Sequence, residues 1–221
     1  IHKSETRKEI VMKKALKLNV PIIYLNMVGG QDELVFDGGS FVVNDLGEII
    51  YQASSFKEEV FHLDIDLKTN KQNDKSPLII RPKTIELKDV ESKASLSKNE
   101  SIYSALKLGL KDYVRKNKFT KVLIGISGGI DSALTAAICV DALGAENVIG
   151  VAMPSKYNSK DSLDDAIKLS DNLGITLKTI EIEKLVDDFR ETLTNSLNED
   201  LGQITDENIQ SRVRGNILIC L

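Results

Sequence analysis

Residues 125–132 read Gly-Ile-Ser-Gly-Gly-Ile-Asp-Ser, with Val122, Leu123 and Ile124 before them and an alanine-rich stretch after. A strand that ends in a glycine-rich turn and feeds a helix presents backbone N–H groups and the positive helix end to an anion. Ser127 and Ser132 add hydroxyl donors. Gly128 and Gly129 remove Cβ atoms that would block close approach, and Asp131 offers a carboxylate to a metal. Gly125, Ile126 and Ile130 complete the turn. The segment lacks the lysine of a Walker loop and the spacing GxGxxG. The chemistry that fits is a grip on nucleotide phosphate. The plain alternatives are a tight turn and, for Asp131, a helix N-cap.

Such a turn needs elements to hold it, and the flanking sequence supplies them. Strand-type runs begin at 121, 147 and 177, with helical patterns at 131–143 and 159–173 between them. This βαβαβ series predicts a parallel sheet with right-handed crossovers. The first two strands are almost wholly apolar, as when both sheet faces are covered. Gly144 and Gly174 stand where helix C-caps belong. A third helix is expected over 183–200, and a fourth with Asp206 as its N-cap.

The front of the chain reads differently. Ile10, Val11, Ala15 and Leu18 fall on one face of a helix over 4–18. Short β-type runs follow at 22–25, 34–36, 41–43 and 48–51, punctuated by Gly29-Gly30, Gly38-Gly39 and Asn44-Asp45-Leu46-Gly47. The last turn predicts a hairpin between Phe41–Val43 and Ile49–Tyr51. Val60–Ile65 is a further strand candidate. Lys68 to Ser76 has no apolar residue and reads as a linker or loop tip. Helical periodicity returns over 99–117 with Ile102, Leu106, Leu110 and Val114.

Composition excludes several classes. The 221 residues are 42% hydrophobic and 28% charged with net charge −4, ordinary for a globular protein. No basic stripe with interleaved aromatics points to nucleic acid, and no apolar run has membrane length. Cys139 and Cys220 show no metal spacing and fit small core residues in a reducing cytosol. His2 and His62 lack recognisable partners. The chain opens at Ile1 and stops at Leu221 inside an apolar helical pattern, so both ends read as cuts.

With the loop placed between strand and helix, Ser127–Ser132 resembles the SGGxDS pyrophosphate loop of the ATP pyrophosphatases, which break ATP between its α- and β-phosphates. Segment 122–154, MPSKYNSKDSLDDA at 153–166, DNLGI at 171–175 and DENIQSRVRGN at 206–216 resemble the synthetase domain of NAD synthetases. IHKSETR at 1–7 and MVGGQDELVFDGGSFVVNDLGEII at 27–50 are similar to the closing third of a nitrilase-type glutaminase domain. That pairing identifies the glutamine-dependent NAD synthetases.

The resemblance implies a fold, a reaction and a division of labour. The fold is α/β: a C-terminal doubly wound parallel sheet, adenine-nucleotide alpha-hydrolase-like, preceded by the end of an αββα nitrilase-like sandwich. The domains would be 1–75 (glutaminase), 76–98 (linker) and 99–221 (synthetase). ATP would adenylate the carboxylate of deamido-NAD, and ammonia freed from glutamine would convert the acyl-adenylate to NAD. Gly125–Ser132 would hold the pyrophosphate and Asp131 would bind Mg²⁺. Met153 would line the adenine pocket or pack in the core. Asn208 and Arg212, four apart on one helix face, would face deamido-NAD or solvent, with Arg214 pointing elsewhere. Lys3 would contact glutamine.

The family's glutaminase Cys, Glu and Lys are expected upstream of Ile1, and a second acidic Mg²⁺ ligand after Leu221, so the chain reads as an incomplete enzyme. A cytoplasmic homo-oligomer is expected. The alternatives are a catalytically silent nucleotide-binding fragment, or another SGGxDS enzyme such as a GMP or asparagine synthetase. The front half opposes the latter, because those enzymes carry different glutaminase folds.

Overall fold

The computed structural model describes residues 3–65, 92–155, 160–197 and 202–221. The chain divides into two compact units, 1–109 and 110–221. His2 and the linker expected over Lys68–Ser76 lie outside the described residues.

The first unit opens with α1, Lys3–Leu18. Val11 and Ala15, one turn apart, share a face, and that face is buried against Phe41 and Val43. Asn19 takes a left-handed φ of 53°, which ends the helix, and Pro21 bars its continuation. Five short strands follow: β1 (Ile22–Tyr24), β2 (Val28–Gln31), β3 (Leu34–Asp37), β4 (Phe41–Val43) and β5 (Ile49–Gln52). They form an antiparallel sheet of order β1-β4-β5 and a separate β2-β3 hairpin. The expected β4-β5 hairpin is present, with Val42 opposite Tyr51. Asn44 closes its turn, its Oδ1 accepting from the amides of Leu46 at 3.1 Å and Glu48 at 2.8 Å.

Two expectations fail here. Residues 60–65 are not a strand. Their alternation is real: Phe61, Leu63 and Ile65 cover Val42, Tyr51 and Ala53, while His62 and Asp64 are exposed. An extended chain lying on an apolar face gives period-two burial without ladder hydrogen bonds. Gly29-Gly30 is likewise not a turn. Both glycines are buried within β2, opposite Phe36 and Val35, and the chain reverses at Asp32, where φ is 50°.

The stretch after β3 is locked by charge. The Arg7 guanidinium grips Asp37 with bonds of 3.0 and 2.6 Å, a bidentate fork that raises the arginine's pKa further. Asn26 donates to the same carboxylate at 2.8 Å and to the Gly38 carbonyl at 2.9 Å.

Helix α2, Lys98–Lys116, begins with a capping box. The Ser97 amide donates to Glu100 at 2.9 Å, and the Glu100 amide donates to the Ser97 hydroxyl at 3.3 Å. Hydrogen bonds from Ser97 hold the Glu100 carboxyl below the usual carboxylate range. A lowered folded pKa means the box contributes above the unfolded pKa and is lost as pH falls through the folded one. Protection factors in the first turn of α2 should therefore drop as pH falls below the ordinary glutamate range. Glu100→Gln should flatten that change; an equal drop in the variant would contradict the assignment.

The second unit contains β6 (Val122–Gly125), α3 (Ile130–Leu143), β7 (Val148–Ala152), α4 (Lys160–Leu173), β8 (Thr176–Thr179), α5 (Glu183–Leu197) and α6 (Gln203–Cys220). The strands pair in parallel in the order β6-β7-β8. Central strand β7 shows why its sequence is apolar throughout. Val148 and Ala152 join Cys139 and Ala166, from α3 and α4, in one core. Val151 packs with Val186, Ile209 and Val213, from α5 and α6, in the other. Helices on both faces make the doubly wound form that the sequence implies. Each fully buried side chain of this kind, Val151 or Ile182 among them, is worth roughly 1.5–3 kcal/mol.

One cap differs from the expectation. Helix α6 starts at Gln203 with Gly202 as N-cap, not at Asp206. The Asp206 carboxylate instead accepts a fork from Arg190 of α5, at 3.0 and 3.1 Å, and Arg190 also reaches Asp187 at 2.6 Å. The aspartate ties two helices together rather than ending one.

Candidate functional site

The turn between β6 and α3 is held by its own hydroxyls. Ser132 Oγ donates to the Gly129 carbonyl at 2.9 Å and lies 3.2 Å from Ser127 Oγ. The amides of Ser127 and Gly129 donate to Ser132 Oγ and Ser127 Oγ, both at 3.3 Å. These amide bonds are long and exposed, so an incoming phosphate oxygen can take their place. The N-terminus of α3 stands behind them.

Gly128 is needed for a reason beyond ligand approach. Its φ is +81°, and a Cβ there would lie 2.9 Å from the Cα of Ser162 and closer still to its carbonyl oxygen. The first turn of α4 is packed directly on this glycine. Gly129, at φ −86°, is under no such constraint; its Cβ would meet Ser127 Oγ at 3.4 Å.

Asp131 is exposed in the first turn of α3. The N-cap is Gly129, and no side chain bonds the cap, so the N-cap alternative for Asp131 fails. Among the described residues, no group of three or more His, Cys, Asp or Glu is gathered for a metal. Asp131 fits a cation that takes one carboxylate and completes its shell with phosphate oxygens and water, as Mg²⁺ does.

Beside the turn opens a cavity of about 300 Å³. Gly125, Ser127, Met153, Leu163, Arg214 and Leu218 are in its wall. Met153, 8% exposed, also packs against the α5–α6 side of the core, so the core-packing alternative holds. The cavity lies at the C-terminal ends of β6 and β7, where open α/β sheets bind ligands. Asn208 and Arg212 are bonded to each other at 3.1 Å on an exposed face of α6 and are not in the cavity wall. Lys3, the exposed first residue of α1, belongs to the other unit.

Sequence reasoning set Arg214 aside as pointing elsewhere, and it is Arg214 that is in the cavity wall. Its Nε donates to the Met153 carbonyl at 3.4 Å and Nη2 to Gln210 Oε1 at 3.5 Å. Gln210 is itself buried and accepts from Ser155 Oγ at 3.1 Å. Burial lowers the arginine's pKa. A signal was present: Ile209 and Val213 mark the core side of α6, which puts 210 and 214 on one flank and 208 and 212 on the other. Cys139 is buried, which pushes its thiol up and away from nucleophilic use. Cys220 is exposed, so only one of the two cysteines is a core residue.

A parallel sheet covered on both faces, with a glycine-rich turn at a helix N-terminus and a cavity at its strand ends, defines the class of doubly wound α/β domains. The NAD synthase family model matches residues 102–221, and the carbon-nitrogen hydrolase model matches residues 4–73. The chain belongs to the NAD synthase family. It is 42% identical to the glutamine-dependent NAD(+) synthetase of Thermotoga maritima, covering 100% of this chain and 41% of that one. For the Synechocystis enzyme of the same name the identity is 40%, over 97% and 36%. The solved glutamine-dependent NAD+ synthetase of Acinetobacter baumannii, in complex with ADP, superposes with a TM-score of 0.82 at 40% identity, covering 99% of this chain and 39% of that one. The chain thus spans about two fifths of the length of these relatives.

Proposed function

We propose that the protein to which this chain contributes converts deamido-NAD to NAD, using ATP and ammonia drawn from glutamine. The observation that carries this reading is the Ser127–Ser132 turn beside the Met153 cavity, in a chain whose front matches a carbon-nitrogen hydrolase. A carboxylate is a poor electrophile, because expelling oxide is prohibitive. Its oxygen attacks the α-phosphorus of ATP, the α–β bridge bond breaks, and pyrophosphate departs. Ammonia then adds to the carbonyl of the mixed anhydride, AMP leaves, and a proton is lost to give the amide.

This chain's part is to hold the phosphates. The amides of Ser127 and Gly129 and the end of α3 face the charge that builds on the departing pyrophosphate. Mg²⁺, when bound through Asp131, supplies further charge neutralisation there. Asn208 and Arg212 are assigned to deamido-NAD, since a planar guanidinium suits phosphate or carboxylate. Lys3 is assigned to glutamine. No helix among the described residues is long and apolar enough to cross a membrane; we place the enzyme in the cytoplasm as a homo-oligomer.

The test is isotope exchange between pyrophosphate and ATP in the intact protein. Exchange should require deamido-NAD and be indifferent to xanthylate and aspartate. Exchange supported by either of those carboxylate substrates instead would sink the assignment.

A further inference from the structure

Helix α1 carries a stripe at four-residue spacing: Lys3, Arg7, Val11 and Ala15 follow one another along a single face. The later half of the stripe is apolar, and Val11 and Ala15 are buried with Phe41 and Val43. Toward the start of the helix the stripe turns polar, and Arg7 supplies the anchor there. Its fork onto Asp37, at 3.0 and 2.6 Å, reaches across 30 positions of sequence. The guanidinium carbon stands 6.0 Å from the centre of the Tyr24 ring. Asp37 is held in turn. Asn26 Nδ2 donates to it at 2.8 Å, and the Asn26 amide donates to the hydroxyl of buried Ser40 at 2.9 Å. With side chains only 25% and 35% exposed, a bidentate pair braced by a third group holds its geometry better than a surface ion pair. On the next flank Lys8 bonds Glu5 at 3.3 Å and Ser95 at 3.2 Å, longer single bonds that do not act on the stripe.

We infer that Arg7 and Asp37 are positioning residues for Lys3: their fork fixes the first turn of α1 and so the place from which the Lys3 ammonium meets the carboxylate of glutamine. This rests on the assignment of Lys3 to glutamine given under Proposed function. The first amides of a helix have no intrahelical partner, so the first turn frays readily. A side chain carried there is only as well placed as its nearest tertiary anchor. Arg7 is that anchor, one turn from Lys3. Without the fork the ammonium samples a wider range, and ordering it falls to the substrate as it binds. That cost acts on binding rather than on bond breaking, so it raises KM for glutamine and spares kcat.

The intact protein is assayed for NAD formation with glutamine and, separately, with ammonium chloride. Arg7→Gln and Asp37→Asn should each raise KM for glutamine by about 3- to 10-fold, with kcat within about twofold of wild type. The rate supported by ammonia, which needs no glutamine, should not change. The double variant should match either single one, because the two side chains act as a unit. Asp37→Glu, which keeps the carboxylate, should recover part of the loss. A fall in kcat with both nitrogen donors, in step with a lowered melting temperature, would show a purely structural role and overturn the inference. So would an unchanged glutamine KM in either single variant, or losses that multiply in the double one. Lys3→Gln tests the underlying reading by itself. A glutamine KM that does not move in that variant would remove Lys3 from glutamine, and the inference with it. A KM that moves with Lys3→Gln but not with Arg7→Gln would overturn the inference alone.

Discussion

Replacing Asp131 by alanine is expected to lower deamido-NAD-dependent exchange of pyrophosphate with ATP by about 100- to 1,000-fold. The fold should be nearly untouched. The carboxylate is exposed in the first turn of α3 and does not cap the helix. Its loss costs about 0.3–1 kcal/mol of interaction with the helix dipole. Asp131→Asn should be almost as inactive, because an amide is a poor ligand for a hard divalent cation compared with a carboxylate. Exchange rates measured beside thermal melts check both halves. A variant retaining a third of its activity, or one that loses activity only because it unfolds, would remove Asp131 from the metal role.

Gly128→Ala should damage both stability and activity. A side chain at φ +81° is strained by about 1–3 kcal/mol, and here the new Cβ would also collide with the backbone of Ser162, 2.9 Å away at its Cα. A flexible side chain could move aside, but a helical backbone has to shift as a unit. We expect a loss of about 2–4 kcal/mol in unfolding free energy, with exchange activity falling below a tenth. The matched control is Gly129→Ala, at φ −86° with an ordinary contact at 3.4 Å, which should stay within about 1 kcal/mol of wild type. Chemical denaturation of the two variants decides the point. Equal losses would show that the contact with the backbone of α4 does not set the requirement for glycine at 128.

Residues of the synthetase unit were legible because their local signals agree with one another. Val122-Leu123-Ile124, the glycine turn and the alanine-rich α3 each point to one arrangement, and Gly144 and Gly174 end their helices where expected. The failures share a cause: a local pattern with two tertiary solutions. Alternation over 60–65 suits a strand or an extended cover. An aspartate near a helix start suits a cap or an ion pair, and Arg190 sixteen positions earlier decided for the pair. Gly29-Gly30 suits a turn or a strand whose neighbours approach closely. The site divides along the same line. The turn is contiguous and could be read directly, whereas Arg214, Gln210 and Ser162 join it only through packing. Their relation to Gly128 and Met153 is not written in any spacing.

The hydrogen bonds that the turn makes with itself bear on turnover. Because Ser127, Gly129 and Ser132 already satisfy one another, a phosphate entering the turn exchanges bonds rather than adding them, and the net gain per bond is about 1 kcal/mol. A cradle of orphaned donors would grip its ligand far harder and would have to leave those donors bare each time it let go. This turn closes on itself instead. Product departure then carries little penalty, and the loop is left shaped for the next molecule.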